Sequence, residues 1–241
     1  MNGDTGILSP APPREEILRA CGLLMVPGDV HEIRVPKTGR LGTISGYFDD
    51  AEALADAVES LDGTVPGIYI TLNPCNPALL ARAANRLRER AETTTSDADI
   101  VRRRWLLLDF DARRPAGISA SDAEHGRAMT VACGAWDDLR GWLGDPVVAD
   151  SGNGAHLLYR LDLPNDQAAT ELVKRVLAGV AARCGTEDTA VDQTVYNAAR
   201  IVKLWGTMAC KGDSTPDRPH RRSRLLEIPE DMRVLKMEAL A

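Results

Sequence analysis

Two aspartates, Asp109 and Asp111, close the apolar run WLLLDFD at residues 105–111. Side chains alternate between faces along a strand, so both carboxylates share one face while Leu106, Leu108 and Phe110 fill the other. Two strand residues separate their anchors, roughly 6.6 Å. Carboxylates that close lean together only around a compensating cation, and hard oxygen donors suit Mg²⁺ or Mn²⁺. The same spacing also fits a strand end entering a solvated turn. In SGNGAH (151–156) two glycines permit a tight turn whose amide N–H groups can face an anion, and Ser151 and His156 flank it. Taken alone, it is a hairpin turn followed by a structural histidine. In VDQTVYNAARIVKLWGT (191–207) Asp192 is the natural third carboxylate for metal, and Arg200, Lys203 and then Lys211 follow with mostly apolar or neutral residues between them. Cations so placed suit a triphosphate. Each singly also fits a snorkelling surface side chain. Finally, RPHRRSR (218–224) gathers Arg218, His220, Arg221, Arg222 and Arg224. That stretch suits a template or primer backbone, a contact that positions without reading sequence, or it is a solvated basic loop.

The elements that must position these groups alternate along the chain. Ile17, Leu18, Cys21, Leu24 and Met25 have helical spacing, VHEIRV (30–35) reads as a short strand, and LGTISGYF (41–48) as another. Asp49 or Asp50 caps a helix striped by Leu54, Val58 and Leu61. GIYITLNP (67–74) predicts a strand, Pro77 to about Ala91 a helix, and TTTSDAD (93–99) a polar loop at a subdomain boundary. Beyond the DxD strand come a long amphipathic helix over 122–143, with Gly134 a weak point in its middle, and the strands PVVAD and HLLYRLDL joined by SGNG. A helix over about 166–184, short strands at VDQTV, RIVKLWGT and SRLLEI, and a helix beginning near Glu230 complete the reading.

With 241 residues the chain is one large domain or two small ones. Its 29 Lys and Arg against 35 Asp and Glu give a net charge of −6, which by itself argues against a nucleic-acid partner. Position changes that meaning. The excess acidity lies within residues 1–100, and seven cations against Asp213 and Asp217 occupy 193–224, directly after Asp192. Four Trp, four Tyr and two Phe are too few for a groove of stacked bases. Five scattered cysteines, Cys21, Cys75, Cys133, Cys184 and Cys210, have no zinc-site spacing and fit buried thiols in a reducing compartment. No run is long and apolar enough to cross a bilayer, and the acidic, proline-rich start is unlike a secretory signal; the expectation is a cytoplasmic protein without a membrane partner.

LLLDFD, then SGNGAH, then VDQTVYNAARIVKLWGT with KGD and RPHR after it, resembles the archaeo-eukaryotic primase (AEP) superfamily, the primase-polymerases, over roughly residues 40 to 225. It is similar in particular to the bacterial, plasmid, phage and CRISPR-associated branch. The resemblance implies an α+β fold, an N-terminal α/β module packed on an RRM-like antiparallel sheet with helices. Residues 1–40 would be an extension, 41–100 the N-terminal module and 101–241 the catalytic module. It implies that Asp109, Asp111 and Asp192 bind two Mg²⁺ or Mn²⁺ ions. It places Ser151, His156, Arg200, Lys203 and Asn73 at the nucleotide; the charge pattern adds Lys211 there and puts Arg218, Arg221, Arg222 and Arg224 on nucleic acid. The implied reaction is attack of a primer 3′-hydroxyl on the α-phosphate of an NTP or dNTP opposite a DNA template. Tyr69, Tyr159 and Tyr196 are candidates to pack against the sugar C2′. Many relatives carry a zinc knuckle and a separate helicase or helical primase region; this sequence shows neither the cysteine pattern nor the length for them, which favours extension over de novo initiation. A helicase, another replication protein or further C-terminal domains are the expected partners. A DxD glycosyltransferase and an inactive nucleic-acid-binding module are the alternatives.

Overall fold

The computed structural model describes residues 11–36 and 38–240. In its first part, α1 (Pro13–Leu24) leads to β1 (His31–Val35), β2 (Ile44–Phe48), α2 (Ala51–Glu59) and β3 (Tyr69–Thr71). Then come β4 (Arg102–Ala112), α3 (Asp122–Leu143), β5 (Val147–Asp150), β6 (Gly154–Pro164) and α4 (Gln167–Cys184). Short elements finish the chain: β7 (Thr189–Val191), β8 (Ile201–Lys203), β9 (Met208–Ala209), β10 (Arg221–Arg222), β11 (Arg224–Glu227) and α5 (Met237–Leu240). Local chemistry sets the helix starts. Asp50 accepts hydrogen bonds from the Glu52 and Ala53 amides, Ser121 and Glu124 form a reciprocal capping box, and Asp166 accepts from Ala169. Helix α3 runs unbroken through Gly134, because Ala128, Ala132, Ala135, Leu139 and Leu143 bury its inner stripe and outweigh a glycine penalty of about 1 kcal/mol.

Two antiparallel sheets organise this α+β fold. One has the order β2-β1-β3-β8 and the other β11-β5-β6-β4-β7, with β9 and β10 forming a separate ribbon. Helix α3 packs on β4 and β6, and α4 on β7. The larger of two apolar clusters joins both sheets, from Ile33 and Ile70 to Leu106, Phe110 and Leu157, and a smaller one gathers Val30, Tyr47, Cys75, Leu79 and Ile100. Strand β8, late in the chain, completes the first sheet, and β1 lies at that sheet's interior; residue 40 falls between two hydrogen-bonded strands. Helix α1 is bound in too, through the buried Glu16 carboxylate, which accepts from the Leu225 amide.

The helix expected over Pro77–Ala91 is not formed. A 3₁₀ turn covers Pro77–Arg82, after which the chain runs irregularly along the free edge of β2. The Ser45 and Arg88 amides and carbonyls exchange hydrogen bonds, and Tyr47 bonds to Ala83 and Asn85. The approach is so close that a Cβ on Gly46 would lie 2.1 Å from the Arg86 carbonyl oxygen. An open sheet edge with unpaired amides outcompetes local helix propensity here. The expected C-terminal helix is likewise shorter, covering only Met237–Leu240.

Candidate active site

The three motif segments, distant in sequence, are neighbours in the second sheet. Strand β4 is flanked by β6 on one side and β7 on the other, with Asp109 opposite His156, Asp111 opposite Gly154 and Phe110 opposite Val191. The Asp192 amide, just past β7, donates to the Asp109 carbonyl at 2.9 Å. Leu108, Phe110 and Ala112 are buried on one face of β4 while Asp109 and Asp111 retain some exposure on the other. That face looks toward β3 and β8 of the first sheet. Between them lies a cavity of about 230 Å³ whose walls include Asp109, Asp111, Ser151, His156, Arg200, Lys203 and Lys211. A shallower groove of about 510 Å³ adjoins it, sharing Pro66, Tyr69, Asp111 and Lys211 and continuing over Arg113–Ile118.

Electrostatics in the cavity are those of crowded carboxylates facing cations. Enclosure at the cavity floor, then the nearby Asp111 and Asp192 carboxylates, push Asp109 up to about 8, a rise that Lys211 and Arg200 moderate. Burial holds His156 down at about 4, so its ring is neutral near pH 7. Its Nε2 stands 3.6 Å from Asp109 Oδ1, its Nδ1 has no partner among the described residues, and its ring meets Trp205 edge-on at 5.9 Å. Lys203 is buried, donates to the Met208 carbonyl at 2.7 Å and is lowered by burial to about 7. Asp111, the most exposed of the carboxylates on β4, pairs with Arg114 at 3.3 Å.

Other expected site residues are engaged elsewhere. The SGNG turn satisfies its own amides: Gly152 N–H donates to Asp150, and the Asn153 and Gly154 amides to Ser151 Oγ, so the turn builds the cavity wall and holds no open amide nest. Gly152 has φ +88, and a Cβ there would meet Ala209 at 2.7 Å. Asn73 is buried away from the cavity, accepting from the Arg104 and Trp105 amides and donating to Ala198, a clamp between the two sheets. Asp192 does not line the cavity; its Oδ1 accepts from the Thr194 amide. Arg218 pairs with Glu124, Arg221 with Asp122 and Arg222 with Asp62, while Arg224 lies 3.9 Å from Asp150.

No protein-family model and no curated protein matches the sequence. Among solved structures, the AEP domain of a cyanophage S-2L primase-polymerase superposes with a TM-score of 0.55 at 15% identity, over 93% of this chain and 95% of that one. The chain has the fold of an AEP domain. The primase RepB' superposes at a TM-score of 0.50 and 15% identity over 89% of this chain, which spans 56% of its length. In this AEP fold β4, between β6 and the edge strand β7 of the larger sheet, carries the DxD, and β3 and β8 of the smaller sheet face it across the cavity.

Among the described residues, no three His, Cys, Asp or Glu side chains stand close enough together to hold a metal ion. The donor chemistry of the AEP cavity still fits a divalent cation. Asp109 and Asp111 offer hard oxygens on one face, and Asp109 is pushed up first by its enclosure and then by the carboxylates of Asp111 and Asp192, both of which a bound cation would offset. The sequence reading did not single out Asn153 or Trp205, although they lie inside SGNGAH and VDQTVYNAARIVKLWGT, nor Arg114, which lies outside any motif and reaches Asp111 through the turn after β4. Of the three tyrosines, Tyr69 lines both the cavity and the groove, Tyr159 is core, and Tyr196 lies 4.6 Å from Lys174.

Proposed function

We propose that the cavity binds a nucleoside triphosphate and that the protein transfers its nucleotidyl group to the 3′-hydroxyl of a primer paired with a DNA template. One observation carries this reading: in an AEP fold, Asp109 and Asp111 share a single cavity with Arg200, Lys203 and Lys211. Asp109 and Asp111, with Asp192 beside them, would hold Mg²⁺ or Mn²⁺. When bound, such ions supply charge neutralisation for the attacking and leaving oxygens. Arg200 and Lys211 would neutralise the phosphates, and Lys203, near its titration point, is drawn to its charged form by an arriving phosphate. His156, neutral, contributes a ring N–H and no charge. The adjoining groove beside Tyr69 has room for the rest of the nucleotide or for the primer end.

The test is one incubation of primed template, labelled nucleotides and Mn²⁺ or Mg²⁺. Extension by the wild type and its loss, by about 10³-fold or more, in a folded Asp109→Ala variant are the expected outcomes. Incorporation by that variant at the wild-type rate refutes the assignment. Transfer of sugar from a nucleotide-sugar, or DNA binding without turnover, would replace it with one of the alternatives.

A further inference from the structure

Five of the nine Lys and Arg residues in positions 1–100 are Arg40, Arg82, Arg86, Arg88 and Arg90. All five are exposed. None forms a salt bridge with a described carboxylate: Arg82 donates to the Tyr47 hydroxyl and stacks over its ring, and Arg90 donates to the Arg40 carbonyl. The only acidic residues within 82–93 are Glu89 and Glu92, both exposed. A small cavity of about 130 Å³, lined by Ser45, Tyr47, Arg82, Arg88, Glu92 and Thr93, opens beside them.

The arginines are displayed by a fixed backbone. Residues 83–91 are pinned to β2 and its approach through the Ser45–Arg88 exchange, the Tyr47 bonds to Ala83 and Asn85, and the Arg90 and Ala91 amides bonded to Leu41 and Thr43. Asn85, at φ +47, locks onto Asp49 with a 2.7 Å side-chain bond. Gathering five guanidinium groups on one edge with only Glu89 and Glu92 to offset them is unfavourable unless an anion shares the surface, and a fixed backbone lowers the cost of ordering them on phosphate.

Position names the anion. The segment lies beyond β2 in the order β2-β1-β3-β8, and β8 supplies the cavity wall. Four strand spacings separate them, roughly 19 Å, or five to six nucleotides of helical rise. We propose that Arg40, Arg86, Arg88 and Arg90 form a strip that binds the phosphates of the single-stranded template a few nucleotides from the site of incorporation. This rests on the polymerase reading for the strand's role; the strip's affinity for single-stranded DNA does not depend on turnover.

The experiment measures binding of the full chain to a fluorescently labelled 20-nucleotide single-stranded DNA by anisotropy across a salt series. The triple variant Arg86→Ser/Arg88→Ser/Arg90→Ser should bind about tenfold or more weakly at 50 mM salt, with a log–log salt slope shallower by about 2, three contacts at ~0.7 each. The corresponding triple lysine variant should restore most of the slope, which a merely structural role would not. An unchanged slope in the serine variant, or absence of DNA binding by the wild type, overturns the proposal. So does equal, salt-dependent capture of polyglutamate, which would assign the strip to an acidic protein. A protein that binds DNA through the strip yet incorporates no nucleotide refutes the polymerase reading alone. One that extends primers while the serine variant keeps its slope refutes the strip alone.

Discussion

Residues 218–224 and residues 82–90 each hold four arginines, yet the fold uses them in opposite ways. In the later stretch Arg218 makes a bidentate contact to Glu124, Arg221 joins Asp122 and the Ala120 carbonyl, and Arg222 bridges Asp62 and the Gly206 carbonyl. Those guanidinium groups tie the β10 segment to the first turn of α3 and to the loop after α2. In the earlier stretch the side chains are exposed and none pairs with a described carboxylate; Arg82 rests on Tyr47 and Arg90 reaches the Arg40 carbonyl. A cation count along the chain cannot distinguish the two, because the partners lie far away in sequence, 160 residues in the case of Asp62. A basic run marks an anion-binding surface only where the fold has left its charges unpaired.

The comparison breaks most visibly in stability. Arg222→Ala leaves the Asp62 carboxylate, 14% exposed, without its partner and should cost roughly 2 kcal/mol, lowering Tm by about 4–8 °C in a thermal melt. A melt indistinguishable from wild type would return the 218–224 stretch to a free surface. Lys203 supplies a third kind of cation, buried and without a carboxylate. Its pKa falls from 10.5 to about 7 on folding, so its charge destabilises the native state at and below pH 7, and the loss fades as pH rises towards 10.5. Lys203→Met should therefore be more stable by roughly 1–2 kcal/mol at pH 7 in urea titration, with the gap closing by pH 10.5.

Arg218 offers a sharper pH signature of smaller size. Its hydrogen bonds, aided by the Ser121 amide, hold Glu124 down at about 2 from an ordinary 4.5. That stabilisation is complete above the ordinary value and is lost as pH falls from about 4.5 to about 2. Arg218→Ala should lose about 1–2 kcal/mol at pH 7 and converge with the wild type by pH 2, read as urea midpoints. The smallest effect belongs to the strip: Arg86→Ser/Arg88→Ser/Arg90→Ser should change stability by less than about 0.5 kcal/mol, because the side-chain bond these three make among the described residues is the long, exposed one from Arg90 to the Arg40 carbonyl. A larger loss would show that the strip, too, is structural.

Much of this organisation was legible locally. The alternation of WLLLDFD put Asp109 and Asp111 on one face, the caps at Asp50, Ser121 and Asp166 started three helices, and SGNG made the hairpin. The misread helix over 77–91 had acceptable propensity and lost to an open sheet edge, which no local window contains. Asn73 suited a nucleotide contact by type and position; its amide instead meets the main chain of Arg104, Trp105 and Ala198. The turn amides expected to cradle an anion close on Asp150 and Ser151.

The sequence by itself determined which faces are apolar, where helices begin, and that carboxylates and cations recur in a fixed order, since period and capping act over a few residues. The tertiary structure alone decided that β7 sets Asp192 against Asp109, that β8 crosses to complete the smaller sheet, and which arginines find carboxylates. Those outcomes depend on pairing between segments distant in the chain. Such pairing is set by how the whole core packs, with strand edges and opposite charges taking whatever partner the packing brings within reach.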